Sequence, residues 1–134
     1  MTEIDIKDSL YLFLKDSELV RNVMSHSNGK LSKTVRPPKS SSEDIVISVL
    51  TADNMQIQSA YVNVNIYVKD LERDGQFEED TIRLRELCQI AYSLLNVGYG
   101  DTYRFVLESQ HIDKVQGKDE HFINNRLLYK VNNE

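Results

Sequence analysis

The sequence is poor in the features that cross-link, break or anchor a chain, and each scarcity narrows what it encodes. A single cysteine, Cys88, leaves no partner for an intramolecular disulfide and no multi-cysteine metal site, so the fold stands on packing alone. Nowhere does an apolar run approach the roughly 20 residues of a membrane-spanning helix. The first residues, MTEIDIKD, are acidic where a signal peptide is basic and then apolar, which points to a cytosolic chain without a membrane partner. Basic charge is in deficit, with a net charge of −5. That works against general affinity for nucleic acid, which needs a concentrated run of Lys and Arg facing phosphates.

What is present is ordinary for a globular domain. The 134 residues, 40% hydrophobic and 28% charged, suit one domain with a real core. Ile6, Leu10, Phe13 and Leu14 recur at helical spacing and predict a helix from about Ile4 to Asp16. Asp16 and Ser17 are suited to cap a second piece carrying Leu19, Val20 and Val23, and the spacing leaves open whether the two pieces form one kinked helix. Residues 25–42, SHSNGKLSKTVRPPKSSS, are polar and hold both prolines, and read as an exposed basic loop arm within a single domain 1–134. Lys30 to Val35 has the makings of a short edge strand inside it.

Asp44 to Thr51 reads as a strand, followed by a turn at Ala52 to Met55. From Ile57 to Val68 the residues alternate, with Ala60, Val62, Val64, Ile66 and Val68 on one face and Tyr61, Asn63, Asn65 and Tyr67 on the other. The stretch KDLERDGQ reads as a linker into a helix, with Glu78, Glu79 and Asp80 in its first turn, where the macrodipole favours anions. Its apolar stripe runs through Leu84, Leu87, Cys88, Ala91, Leu94 and Leu95 to about Asn96, and NVGYGD supplies glycines for a left-handed cap and turn. Strands over Thr102 to Ile112 and Phe122 to Val131 follow, joined by the polar loop KVQGKDEH. The expected fold class is therefore α+β: one mainly antiparallel sheet of four to five strands with two helices packed on one face.

Reactive constellations are not evident. His26, His111 and His121 lack metal-ligand spacing, and Cys88 lies on the buried stripe with no basic neighbour there to hold a thiolate. Consecutive carboxylates at 78–80 point in different directions, and Gly98 and Gly100 follow a helix, where a phosphate-cradling loop follows a strand. The expectation is no catalytic residue, no metal and no cofactor. Candidate interface residues are the cations Lys33, Arg36 and Lys39 of the arm and the polar strand face Asn63, Asn65 and Tyr67.

In element order, in the R-P followed by S-x-x-E-D-I-V (Arg36-Pro37, then Ser40 to Val46), and in V-N-V-N-I-Y-V (Val62 to Val68), the chain resembles the tail terminator, or tail completion, proteins of long-tailed bacteriophages and prophages. The resemblance implies a structural protein that forms a ring, typically a hexamer, on the end of a finished tail tube. Such a ring stops polymerisation and offers the head-joining surface. Its partners would be other copies of itself, tail-tube and head-neck proteins. Its location would be the bacterial cytoplasm during assembly and then the virion tail. A ring needs two different complementary patches on each subunit. The basic arm, through Lys33, Arg36 and Lys39, is expected to supply one, and acidic residues such as Glu78, Glu79 and Asp80, or Asp70 and Glu72, the other, so Arg36→Glu is expected to weaken assembly with the fold intact. Alternatives are a neck or head-completion protein of similar fold, or a small nucleic-acid-binding or enzymatic domain.

Overall fold

The computed structural model describes residues 1–50 and 59–132, so the expected turn at Ala52 to Met55 lies outside the described residues. The elements in chain order are α1 (Glu3–Leu14), α2 (Glu18–Ser27), β1 (Leu31–Lys33), β2 (Ile45–Leu50), β3 (Ser59–Lys69), β4 (Leu71–Arg73), β5 (Gln76–Glu78), α3 (Thr81–Leu95), β6 (Val97–Tyr99), β7 (Tyr103–Lys114) and β8 (Glu120–Val131).

Local chemistry sets the helix boundaries. Thr2 and Asp5 form a reciprocal capping box that starts α1. Ser17 adopts an extended backbone and its hydroxyl accepts from the Val20 amide at 3.3 Å, so α1 and α2 are separate helices. Asn28 ends α2 in the left-handed conformation. Asp80 caps α3, accepting from the Arg83 amide at 3.1 Å. The acidic run therefore precedes the helix: Glu78 closes β5 and Glu79 lies between the two elements.

The sheet overturns the expected fold class. Among the described residues there are three helices, a six-stranded mixed sheet in the order β1-β2-β3-β8-β7-β6, and a separate antiparallel hairpin β4-β5. Three short segments account for the difference. Leu31–Lys33 joins β2 in parallel at one edge, and Val97–Tyr99 pairs antiparallel with β7 at the other. KDLERDGQ, expected as a linker, folds back on itself through Asp74 and Gly75, both at positive φ as a two-residue hairpin turn requires. The glycines of NVGYGD serve strand β6 and its exit, with no left-handed φ at either; a Cβ on Gly98 would come within 2.1 Å of the Phe105 ring.

One face of the sheet carries the core. Val62, Val64 and Ile66 of β3, Ile123, Leu127 and Tyr129 of β8, and Ile45 and Ile47 of β2 pack against Ile6, Leu10 and Leu14 of α1, Leu19 and Val23 of α2, and Leu84, Leu87 and Leu95 of α3. Tyr129 is fully buried, and its hydroxyl lies 2.7 Å from Ser9 Oγ. Burial pushes its pKa up to about 12, with the Ser9 hydrogen bond acting against the shift. The polar groups in this interior are satisfied: buried Asn125 donates to the Val64 carbonyl and accepts from Gln110.

Candidate protein-binding site

The opposite face of the sheet is where the expected interface residues of β3 lie, and two adjacent acidic residues organise its approach. Glu43 and Asp44 are both buried, and each holds one arginine. Glu43 takes Arg83 from α3 in a bidentate pair at 2.7 and 2.8 Å, while Arg83 also donates to Asn22 at 2.7 Å and Glu86 at 3.0 Å. Asp44 takes Arg36 at 2.8 Å, and the same guanidinium reaches both oxygens of Glu120 at 2.6 and 3.0 Å and the Ser42 carbonyl at 2.7 Å. Burial disfavours the charge on Arg36, yet its hydrogen bonds to Glu120 and Asp44 outweigh that and raise its pKa. For Arg83 the bonds to Glu43 dominate in the same direction.

Arg36 therefore belongs to the structure of the molecule. Its guanidinium stacks 4.3 Å over the Tyr67 ring, which in turn stacks on Phe122 at 5.8 Å, so the arm is tied across one end of the outer sheet face. Lys118 at the β7-β8 turn, whose ammonium is 3.7 Å from Glu120, completes this cluster. Mid-face, Asn124 donates to Asn63 at 3.1 Å and to Asn65 at 2.7 Å, a cross-strand amide ladder.

At the other end of the same face the character changes. The strand registers place Leu50 opposite Tyr61, Tyr61 opposite Leu128, Leu128 opposite Val106 and Val106 opposite Val97. Directly opposed residues share a face, so these five form an apolar band crossing five adjacent strands. None of the three helices covers it: Leu50, Val97 and Val106 are each nearly half exposed. Arg126 lies over Tyr61 at 4.3 Å, and Arg104 and Lys130 form the next row with Tyr99.

Of the residues singled out in the sequence, the structure brings Arg36, Asn63, Asn65 and Tyr67 onto this face. Lys33 is on the helix side, paired with Asp8 at 2.6 Å and lying 5.0 Å from the Tyr11 ring centroid. Lys39 is exposed in a turn at φ 58°, Glu78 pairs with Arg73 on the hairpin at 3.1 Å, Glu79 approaches His121, and Asp80 is spent as a helix cap. The sequence reading missed Glu43, Arg83 and Glu120, whose partners are distant in the chain, Asp44, which lies only eight residues from Arg36, and the apolar band, which only strand register assembles.

Other concavities and reactive clusters are less developed. An open depression of about 600 Å³ between α2 and α3 is lined by Asn22, His26, Arg83 and Glu86, but Arg83 is already fully engaged with its internal partners. His121 Nδ1 lies 2.7 Å from buried Asp70, with Lys114 and Glu79 at 3.9 Å, a closed polar knot at the end of β3. Cys88 is half-buried, and burial pushes its thiol pKa up, away from nucleophilic character. No group of metal-ligating side chains occurs among the described residues, nor any helix long and apolar enough to cross a membrane. The fold and this face together define a sheet protein whose outer face carries an apolar band that none of the described helices covers. Comparisons of the chain with protein-family models, curated proteins and solved structures find no match.

Proposed function

We propose that this chain is a structural assembly protein of the tail-terminator type: it forms a ring on the end of a phage or prophage tail tube, ends polymerisation there, and offers the head-joining surface. The observation that carries the proposal is the apolar band Leu50, Tyr61, Leu128, Val106 and Val97, left uncovered by the described residues on a sheet whose other face carries the core. Contiguous apolar surface rimmed by polar residues is the mark of a protein contact. A second observation supports the resemblance. The stretches that carry it converge on one clamp, with Arg36 bonded to Asp44 and stacked on Tyr67, so they act as a unit in the fold. On this reading the arm is a brace that shapes the docking face, and the charges at 33, 36 and 39 are not a single patch.

The test is addition of the purified protein to tail tubes polymerising from their subunits. The expected result is density at one tube end and arrested growth. Binding to filled heads without binding to tubes would move the assignment to a neck protein, and binding to neither would reject an assembly role in the tail.

A further inference from the structure

Two unsatisfied surfaces lie at opposite ends of β3. At its start is the apolar band, and around it stand three cations, Arg104, Arg126 and Lys130, with no carboxylate partner among the described residues. Arg126 only stacks on Tyr61, its Nε buried without an acceptor, and Arg104 reaches only the Asn132 side chain at 3.4 Å. At the end of β3 the chain enters the hairpin β4-β5, where every residue from Leu71 to Glu79 is exposed, Phe77 at 47% and Leu71 at 37%. This hairpin carries Glu72, Asp74, Glu78 and Glu79 against the single cation Arg73, and Glu72 and Asp74 have no cationic partner among the described residues. Glu72 and Phe77 are directly opposed, so a carboxylate and an aromatic ring share one face of the ribbon.

A two-stranded ribbon of three residues per strand is marginal on its own, and an exposed Phe on it is a ready anchor for a contact. The two surfaces match in kind: one is apolar with unpaired cations, the other apolar with unpaired carboxylates. Tyr61 and Lys69 are separated by eight residues of extended strand, about 27 Å, so a hairpin does not reach the band of its own molecule.

We infer that the occupant of the apolar band is the β4-β5 hairpin of a second copy of this chain, with Phe77 seated on Val106 and Leu128 and the carboxylates Glu72 and Asp74 facing Arg104 and Lys130. This rests on the outer face being a docking surface, as proposed above, and specifies what docks there. The contact joins two different patches, so it is head-to-tail.

The test uses two single-cysteine variants in a Cys88→Ser background, Gln76→Cys beside the hairpin tip and Tyr99→Cys beside the basic rim, mixed and oxidised. As control, Gln76→Cys is mixed with Met24→Cys, an exposed position on the helix side. Thermal melts confirm that each variant is folded. The expected result is that the 76–99 disulfide forms at least tenfold faster than the 76–24 disulfide. Arg104→Glu with Lys130→Glu should abolish the advantage, and adding Glu72→Lys with Asp74→Lys to the other partner should restore it. Equal rates for the two pairs, or an advantage indifferent to charge reversal, overturns the inference. Tube capping is scored separately. Capping without a 76–99 preference rejects this interface and leaves the proposed function standing; a 76–99 preference without capping does the opposite.

Discussion

Glu43 and Asp44 are neighbours in the chain that face opposite sides of the sheet, and each neutralises one arginine whose hydrogen bonds cross the fold. Removing one member of a buried pair leaves an uncompensated charge, which costs far more than the net worth of the pair. Glu43→Ala is therefore expected to destabilise the protein by about 3 kcal/mol, read from urea denaturation. Arg36→Glu, expected from the sequence to spare the fold, should cost at least as much, because it sets a third carboxylate beside Asp44 and Glu120; an unchanged midpoint would show that the clamp is not structural. Little of this was legible beforehand. Arg36 sits in a polar run that reads as solvated arm, and its partner Glu120 is 84 residues away, beyond any local pattern. Tyr129 supplies a pH prediction of definite sign. Its folded pKa, about 12, is raised above the ordinary tyrosine value of 10.0, so the neutral phenol is what the fold stabilises. That contribution is present below pH 10 and is lost as pH rises towards 12. Stability should fall across that interval, and Tyr129→Phe, less stable at neutral pH through loss of the Ser9 contact, should fall less steeply.

At the scale of elements, length decided what the sequence revealed. β3 has eleven residues of strict alternation and β8 is twelve residues long, alternating from Ile123 to Tyr129, long enough for a period of two to stand out, and α3 carries four turns of apolar stripe. β1, β4, β5 and β6 have three residues each, too few to show a period, and these are the strands the reading missed or left doubtful. The pair Asp74-Gly75 was the one available signal for the hairpin, since both central residues of its turn need positive φ. Edge strand β6 depends on close approach. Gly98 lies against the Phe105 ring, and a methyl group there forces either the ring or the strand to shift. Gly98→Ala is expected to cost about 1–3 kcal/mol and to expose the β7 edge, seen as faster hydrogen exchange at the Phe105 and Leu107 amides, which face β6, than in the parent. Retained protection would mean that the ring moves aside and β6 stays paired.

For the whole molecule, the consequence of two unlike patches at opposite ends of β3 is a matter of symmetry. An isologous contact is self-complementary and stops at a dimer, whereas a head-to-tail contact leaves one free patch at each end of any open assembly, so it grows until it closes into a ring or runs on as a fibre. Variants that lose one patch each therefore behave differently together and apart. Phe77→Asp keeps the basic apolar band but has no anchor, and Val106→Asp keeps the hairpin but has a charged band. Both sites are exposed, so neither change should unfold the chain. Each alone should stay monomeric, because every contact would use a ruined patch. Mixed in equal amounts, they retain one intact pairing and should form a one-to-one dimer that grows no further, measured by light-scattering mass. Phe77→Asp added to the parent chain should shorten its assemblies in proportion to its share, since each variant incorporated through its band ends growth on its hairpin side. Dimers formed by either variant alone would point to a self-complementary contact and exclude ring closure through these two surfaces.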